Sequence, residues 1–209
     1  MAELARLMCC RTRPIAMPAG PDEVLFLEGD PCEYVYEVRR GVVRAVKFST
    51  EGQRQIAAIF FPGDHFGLPY TKDYRFTAEA VTDTLIIKHA RQNWLQSFIV
   101  NPADPDNIPG PAANEPDAIF LRGCIVGRHG VLVRLSSFLL VVEQRLEPDG
   151  DGGLLLPLPQ TDIADFLATS PESVCRALRQ LREMRVISMS RRDRFVIIDK
   201  PRLSAIAEC

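Results

Sequence analysis

In the first half of the chain, hydrophobic and polar positions alternate with a period close to two. Between Val24 and Ile87, Tyr34, Tyr36 and Val38 alternate with Val35, Glu37 and Arg39, while Val42, Val43, Ala45, Val46 and Phe48 are interleaved with Arg44 and Lys47. Each run has a strand's length. Glycines at 29, 41, 52, 63 and 67 fall mostly at intervals of about eleven residues, the spacing of turns between antiparallel strands of a sandwich or barrel. The pattern predicts an all-β roll or barrel. Its longest unbroken apolar run, Ile56 to Phe61, is six residues long and closed by Pro62.

Five prolines crowd into Asn101–Pro116, NPADPDNIPGPAANEP, where neither helix nor sheet hydrogen bonding can be sustained, and this stretch reads as a loop or linker. Beyond it the period changes. Leu135, Phe138, Leu139 and Val142 have helical spacing and predict a helix over Arg134–Leu146, ended by EPDGDGG. From Pro159 to Glu208 the chain predicts short helices, a small hairpin and a terminal helix. A first helix, capped by Gln160 or Thr161, buries Ile163, Ala164, Phe166 and Leu167, and a turn follows at Ala168-Thr169. Ser170 is a strong N-cap, with Pro171 at the first helical position and Glu172 and Ser173 in the first turn. The second helix runs to about Met184, with Val174, Leu178 and Leu181 inward and Glu172, Cys175, Arg176 and Arg179 outward. Two strands, Val186–Ser188 and Phe195–Ile198, joined by SRRDR, complete a wing carrying Arg191, Arg192 and Arg194.

Two short helices joined by a tight turn, the second with a basic outer face, form the arrangement that lays a recognition helix in the major groove of DNA. Arginine can bond guanine O6 and N7 bidentately and glutamate can accept from cytosine N4, so Glu172 and Arg176, one turn apart, can read adjacent base pairs. The wing arginines would meet phosphates. Overall charge hides this: the 209 residues carry a net charge of −2, but Ser170 to Arg194 holds seven arginines against three acidic residues. With 46% hydrophobic and 25% charged residues the composition is that of a globular protein. No run approaches the roughly 20 apolar residues of a membrane span. The N-terminus lacks the apolar stretch of roughly 7–15 residues of a secretory signal. A cytoplasmic protein is expected, its six scattered cysteines reduced.

On these residues the chain resembles, over nearly all its length, the Crp/Fnr superfamily of bacterial transcription regulators. The family's I-A-x-x-L and E-T-V-S-R segments are similar to Ile163–Leu167 and Glu172–Arg176. The β half resembles the family's cyclic-nucleotide-binding roll through Glu28-Gly29-Asp30, Tyr34-Val35-Tyr36, Arg40-Gly41, Gly52, Pro62-Gly63-Asp64 and Phe66-Gly67, and Arg75–Ala80 looks most like the FixK branch. The resemblance implies an α+β fold: a β-roll (a double-stranded jelly roll) over 1–100, a proline-rich loop with dimerisation and hinge helices over 101–147, and a winged helix-turn-helix over 148–209. It also implies a homodimer, a palindrome with TTG-type half-sites, a surface for RNA polymerase, and base-reading roles for Glu172 and Arg176. The dimerisation helix would be Asp117–Arg128, with Ile119, Phe120, Cys124 and Val126 on its apolar side.

Departures from the family narrow the function. Members that bind cyclic AMP carry a G-E-x-L carboxylate and an R-[ST]-A triplet; here Gly67-Leu68-Pro69 has no carboxylate and Arg75 precedes Phe76, so Gly67, Leu68, Arg75 and Thr77 remain as effector-pocket candidates without the expected grip. An iron–sulfur cluster takes four thiolates, and adjacent Cys9 and Cys10 with distant Cys32 and Cys124 suit it poorly. A haem site of the Cys-x-His kind finds only His65 after the Gly-Asp turn, and a lone histidine there reads as structural. No cofactor is expected, and no local signature of an enzyme is present. Cys175 stands where the family more often has Ser or Gly. It is either a small replacement or a thiol that Arg176, Arg179 and the helix N-terminus prime for oxidation. The competing reading is a regulatory module whose roll binds a cyclic nucleotide or other effector.

Overall fold

A computed structural model describes residues 14–68, 70–94, 115–150, 152–191 and 193–208. The alternating half forms two antiparallel four-stranded sheets. One has the order β1 (Ile15–Ala19), β8 (Thr84–Ala90), β3 (Tyr34–Arg40), β6 (His65–Phe66); the other β2 (Val24–Phe26), β7 (Thr77–Ala80), β4 (Val43–Phe48), β5 (Arg54–Phe60). Side chains of alternate residues point into the space between them, where Phe26, Tyr36, Val38, Val43, Ala45, Phe60, Phe66, Phe76 and Ile86 make one core. Gly41 turns the chain at φ +86, and a Cβ there would lie 2.5 Å from Thr84 Oγ1, so glycine is required.

The apolar run at Ile56–Phe61 has a physical reason. β5 is buried on both faces: Ala58 and Phe60 belong to the roll core, while Ile56, Ile59 and Phe61 join a second core with Leu135, Phe138, Leu139, Phe166, Leu178, Leu181 and Leu203. A strand covered on both sides needs no polar face. The helices of this second core are α1 (Glu115–Val126), α2 (Val131–Arg145), α3 (Gln160–Phe166), α4 (Pro171–Glu183) and α5 (Lys200–Glu208), of which α1 and α3 lie against β5. α2 packs against α4 and α5. β9 (Leu154–Leu155), β10 (Ile187–Arg191) and β11 (Arg194–Ile197) make a third sheet in the order β10-β11-β9.

Several boundaries move. The helix expected from Arg134 begins at Val131, and Glu115 and Pro116, read as loop, open α1; the rest of the proline-rich stretch lies outside the described residues. The wing strands extend to Arg191 and back to Arg194, with a bulge between Met189 and Arg191, so Ser190, Arg191 and Arg194 are strand residues and not a loop. α1 buries one face and exposes the other. Ala118 and Ile125 are its buried apolar residues, whereas Ile119, Phe120, Leu121 and Cys124 are exposed, Phe120 by 73%.

The roll and the helices are joined by buried charges. Arg44 Nη1 donates to Asp162 Oδ2 at 2.6 Å, Arg44 Nε to Glu79 at 2.7 Å and Nη2 to Asp22 at 2.7 Å. Arg54 Nη1 reaches Asp162 at 3.0 Å and Asp165 at 2.8 Å. Nearer the turn, Arg145 at the end of α2 pairs with buried Asp64. α1 is tied to α3 through Arg122, whose Nε donates to the Phe166 carbonyl at 3.1 Å.

Candidate nucleic-acid interface

α3 and α4 are set by local rules. Pro159 is the N-cap of α3; its carbonyl accepts from Ile163 N at 3.0 Å and no side chain caps the helix, which corrects the cap expected from Gln160 or Thr161. Ile163, Ala164, Phe166 and Leu167 are buried, as their spacing required. Thr169 N closes the turn on the Ala164 carbonyl at 2.9 Å, with Ala168 in the left-handed region at φ 50.

Ser170 then caps α4. Its Oγ accepts from Ser173 N at 3.3 Å, with Pro171 in the first turn, where a missing N–H costs nothing. Val174, Ala177, Leu178 and Leu181 face the core; Pro171, Glu172, Cys175, Arg176 and Arg179 are exposed and Ser173 is half-buried. Arg176 Nη2 donates to Ser173 Oγ at 3.0 Å, and Ser173 Oγ lies 3.1 Å from Ser170 Oγ, so the cap also holds the guanidinium at the start of the helix. The Glu172 carboxyl is held below its usual range by its own backbone N–H and the Ser170 hydroxyl, with Arg176 adding attraction. It is an ionised acceptor beside a fixed donor fork.

The wing is less uniform. Arg191 is exposed on β10, whereas half-buried Arg194 donates from Nη2 to Asp149 at 2.6 Å and packs over Gly153. Arg194 braces the wing on the 149–153 turn. Arg192 lies outside the described residues. Cys175 lines a cleft of about 690 Å³ with Leu155–Gln160, Thr82 and Asp193.

Residues 133–206 match the Crp-like helix-turn-helix domain and residues 18–99 the cyclic nucleotide-binding domain. The nitrogen fixation regulation protein FixK of Azorhizobium caulinodans is 31% identical over 182 residues, 86% of this chain and 73% of that protein. FixK of Rhizobium meliloti is 28% identical over 189 residues, 87% of this chain and 81% of that protein. In structure the chain is similar to FixK2 from Bradyrhizobium japonicum, with a TM-score of 0.81 at 30% identity, covering 93% of this chain and 97% of that one. This chain belongs to the Crp/Fnr family. It is a FixK-like transcription regulator with a DNA-binding helix-turn-helix, and not an enzyme.

Within this Crp/Fnr protein two of the effector-pocket candidates, Gly67 and Leu68, are bound through their backbone to an acidic side chain. The Gly67 and Leu68 amides both donate, each at 3.0 Å, to Glu115 Oε2 at the start of α1. Glu115 is buried, which pushes its carboxyl up, while those two amides and Arg75 pull it down. Thr77 Oγ1 accepts from Glu28 N at 3.0 Å, and Arg75 is exposed. Rings fill the interior: Phe26 stacks on Tyr74 at 3.8 Å and Phe60 on Phe66 at 4.8 Å, and a Cβ on Gly67 would lie 3.1–3.4 Å from the rings of Tyr74, Tyr36 and Phe26. The sequence carried no signal for Glu115, which stands 47 residues from Leu68. Among the described residues no helix is long and apolar enough to cross a membrane.

Proposed function

We propose that the chain acts in the cytoplasm as a homodimeric, sequence-specific regulator that places α4 in the major groove of a palindrome with TTG-type half-sites. The observation that carries this is the placement of ionised Glu172 beside Arg176, both exposed, with Glu172 bonded to Ser170 and Arg176 to Ser173. Acceptor and fork one turn apart match a C·G pair followed by its neighbour. Arg179 and the wing residues Arg191 and Arg192 supply phosphate contacts that position the helix, and RNA polymerase is the partner met at the promoter. Binding to a palindromic duplex and to a scrambled duplex of equal length tests this. A preference of at least about 1,000-fold supports the reading, and equal affinities contradict it.

The dimer is argued from α1. One side is pinned by Ala118, Ile125 and Arg122, while Ile119, Phe120, Leu121 and Cys124 form an apolar ridge on the other. A second copy of α1 is the occupant that a two-fold palindrome demands. Phe120→Lys is therefore expected to give a monomer in sedimentation at micromolar concentration, where the wild type is a dimer.

Independence from cyclic nucleotides is argued from the ring-filled roll and from Glu115, whose carboxylate takes the amide pair and would repel a phosphate. A nucleotide at about 100 times its Kd would add about 2.7 kcal/mol of stability. The expected shift of the melting midpoint with cyclic AMP is none. The effector-responsive reading requires an upward shift.

Cys175 is exposed among the proposed DNA contacts and opens on the cleft beside it, so a peroxide reaches its sulfur. Oxidation to a sulfenic or higher acid adds bulk and, beyond the first step, negative charge against phosphate. Peroxide is expected to weaken DNA binding at least about tenfold in the wild type and to leave Cys175→Ser unchanged. Equal sensitivity in both proteins would sink the redox reading.

A further inference from the structure

We propose that Glu37, His65 and His89 on the outer face of the roll form a binding site for a divalent transition-metal ion. Among the described residues this is the one group of three or more metal-ligating side chains whose donor atoms all lie within 4.8 Å of one another. Strand register makes it. Glu37 of β3 is paired across the sheet with His65 of β6, and His89 of β8, opposite Val35, stands diagonally to it. With Tyr36 and Phe66 turned into the core, Glu37 and His65 point outward.

The three groups lie within reach of one ion. Glu37 Oε2 lies 3.1 Å from His89 Nε2 and 3.9 Å from His65 Nε2, and Glu37 Oε1 is held by Arg39 at 3.0 Å. One carboxylate thus serves His89 and Arg39. It leaves His65 beyond hydrogen-bond reach, with its Nδ1 buried and unpartnered. Nε2 is the His65 nitrogen close enough to Glu37 to share an ion with it. Ligand atoms on a tetrahedral ion at 2.0–2.2 Å are roughly 3.4 Å apart, so small side-chain rotations from separations within 4.8 Å bring all three nitrogen and oxygen donors onto one ion.

Two imidazoles and one carboxylate suit zinc, iron, copper or nickel; calcium and magnesium want all-oxygen shells. Three protein ligands leave a coordination position open. Arg39 on the far carboxylate oxygen is the kind of outer contact that fixes a ligand's orientation. Access is adequate, since the three side chains are 13%, 15% and 22% exposed. His65 also follows Asp64, the partner of Arg145, so the site is one residue from the contact between roll and α2.

The molecule carries its own reporter. Trp94, the chain's single tryptophan, has its ring centroid 4.7 Å from His65 and 5.7 Å from His89. Cobalt(II), which quenches nearby indole fluorescence, is titrated into the reduced full-length protein. Saturable quenching at one equivalent, reversed by chelator and competed by zinc, is expected. Glu37→Gln and His89→Gln are each expected to raise the half-quenching concentration at least about 100-fold, since even outer-shell changes cost about 10–100-fold. Two variants on the sheet's outer face, each checked by its melting midpoint, separate ligand loss from misfolding. Absence of quenching at about 1 mM cobalt(II), or wild-type quenching in both variants, would overturn the site. So would a near-ultraviolet thiolate band on the bound cobalt, which would assign the metal to cysteine.

Discussion

Arg176→Ala is expected to weaken binding to the cognate palindrome by about 1–3 kcal/mol, roughly 5–150-fold, while binding to random duplex stays within about twofold. The asymmetry is the point of the prediction. A fork that bonds guanine O6 and N7 contributes only where guanine is present, and Ser173 Oγ holds that fork at 3.0 Å before DNA arrives. Alanine removes the fork and leaves the fold alone, because Arg176 is exposed and Val174, Ala177, Leu178 and Leu181 carry the packing of α4. Fluorescence anisotropy with duplexes changed at one base pair checks it. The mutant should lose discrimination at that pair and keep it elsewhere. Arg191→Ala provides the contrast, with equal loss on all duplexes and a salt slope reduced by about 1.

The second large effect lies far from DNA. Arg44→Met is expected to destabilise the protein by about 3 kcal/mol, the lower end of the 3–5 kcal/mol range for removing one partner of a buried ion pair. The lower end applies because Arg54 still reaches Asp162 at 3.0 Å, which softens the loss. Asp162 is 4% exposed, so its desolvated carboxylate otherwise depends on Arg44. For a chain of this length the melting midpoint should fall by roughly 6–12 °C. Calorimetry checks the value, and the paired replacement Arg44→Met with Asp162→Leu should recover much of the loss, because it strands no charge at that contact.

The recognition helix was legible because its determinants are local. Ser170-Pro171-Glu172-Ser173 is a cap read within four residues, and the spacing of Val174, Leu178 and Leu181 orients the helix by itself. The roll was legible through its period of two. Contacts between distant residues were not. Asp162 and Asp165 look like the solvated face of a short helix, yet they meet Arg44 and Arg54 across 108–118 positions. His65, read alone, was structural; only the register of β3, β6 and β8 brings Glu37 and His89 to it. Nor does the sequence show that β11 reaches Arg194 and that Asp149 accepts from its guanidinium across 45 positions. The two-residue β9 is too short to leave a pattern.

Selection of bound duplexes from a random pool by this chain tests the central claim most directly. The account predicts a two-fold-symmetric site with TTG-type half-sites centred about 10 base pairs apart, matching two copies of α4 one helical turn apart, and loss of the guanine preference when Arg176→Ala is used in the same selection. Recovery of no common sequence, or of an unchanged one from the mutant, would contradict it.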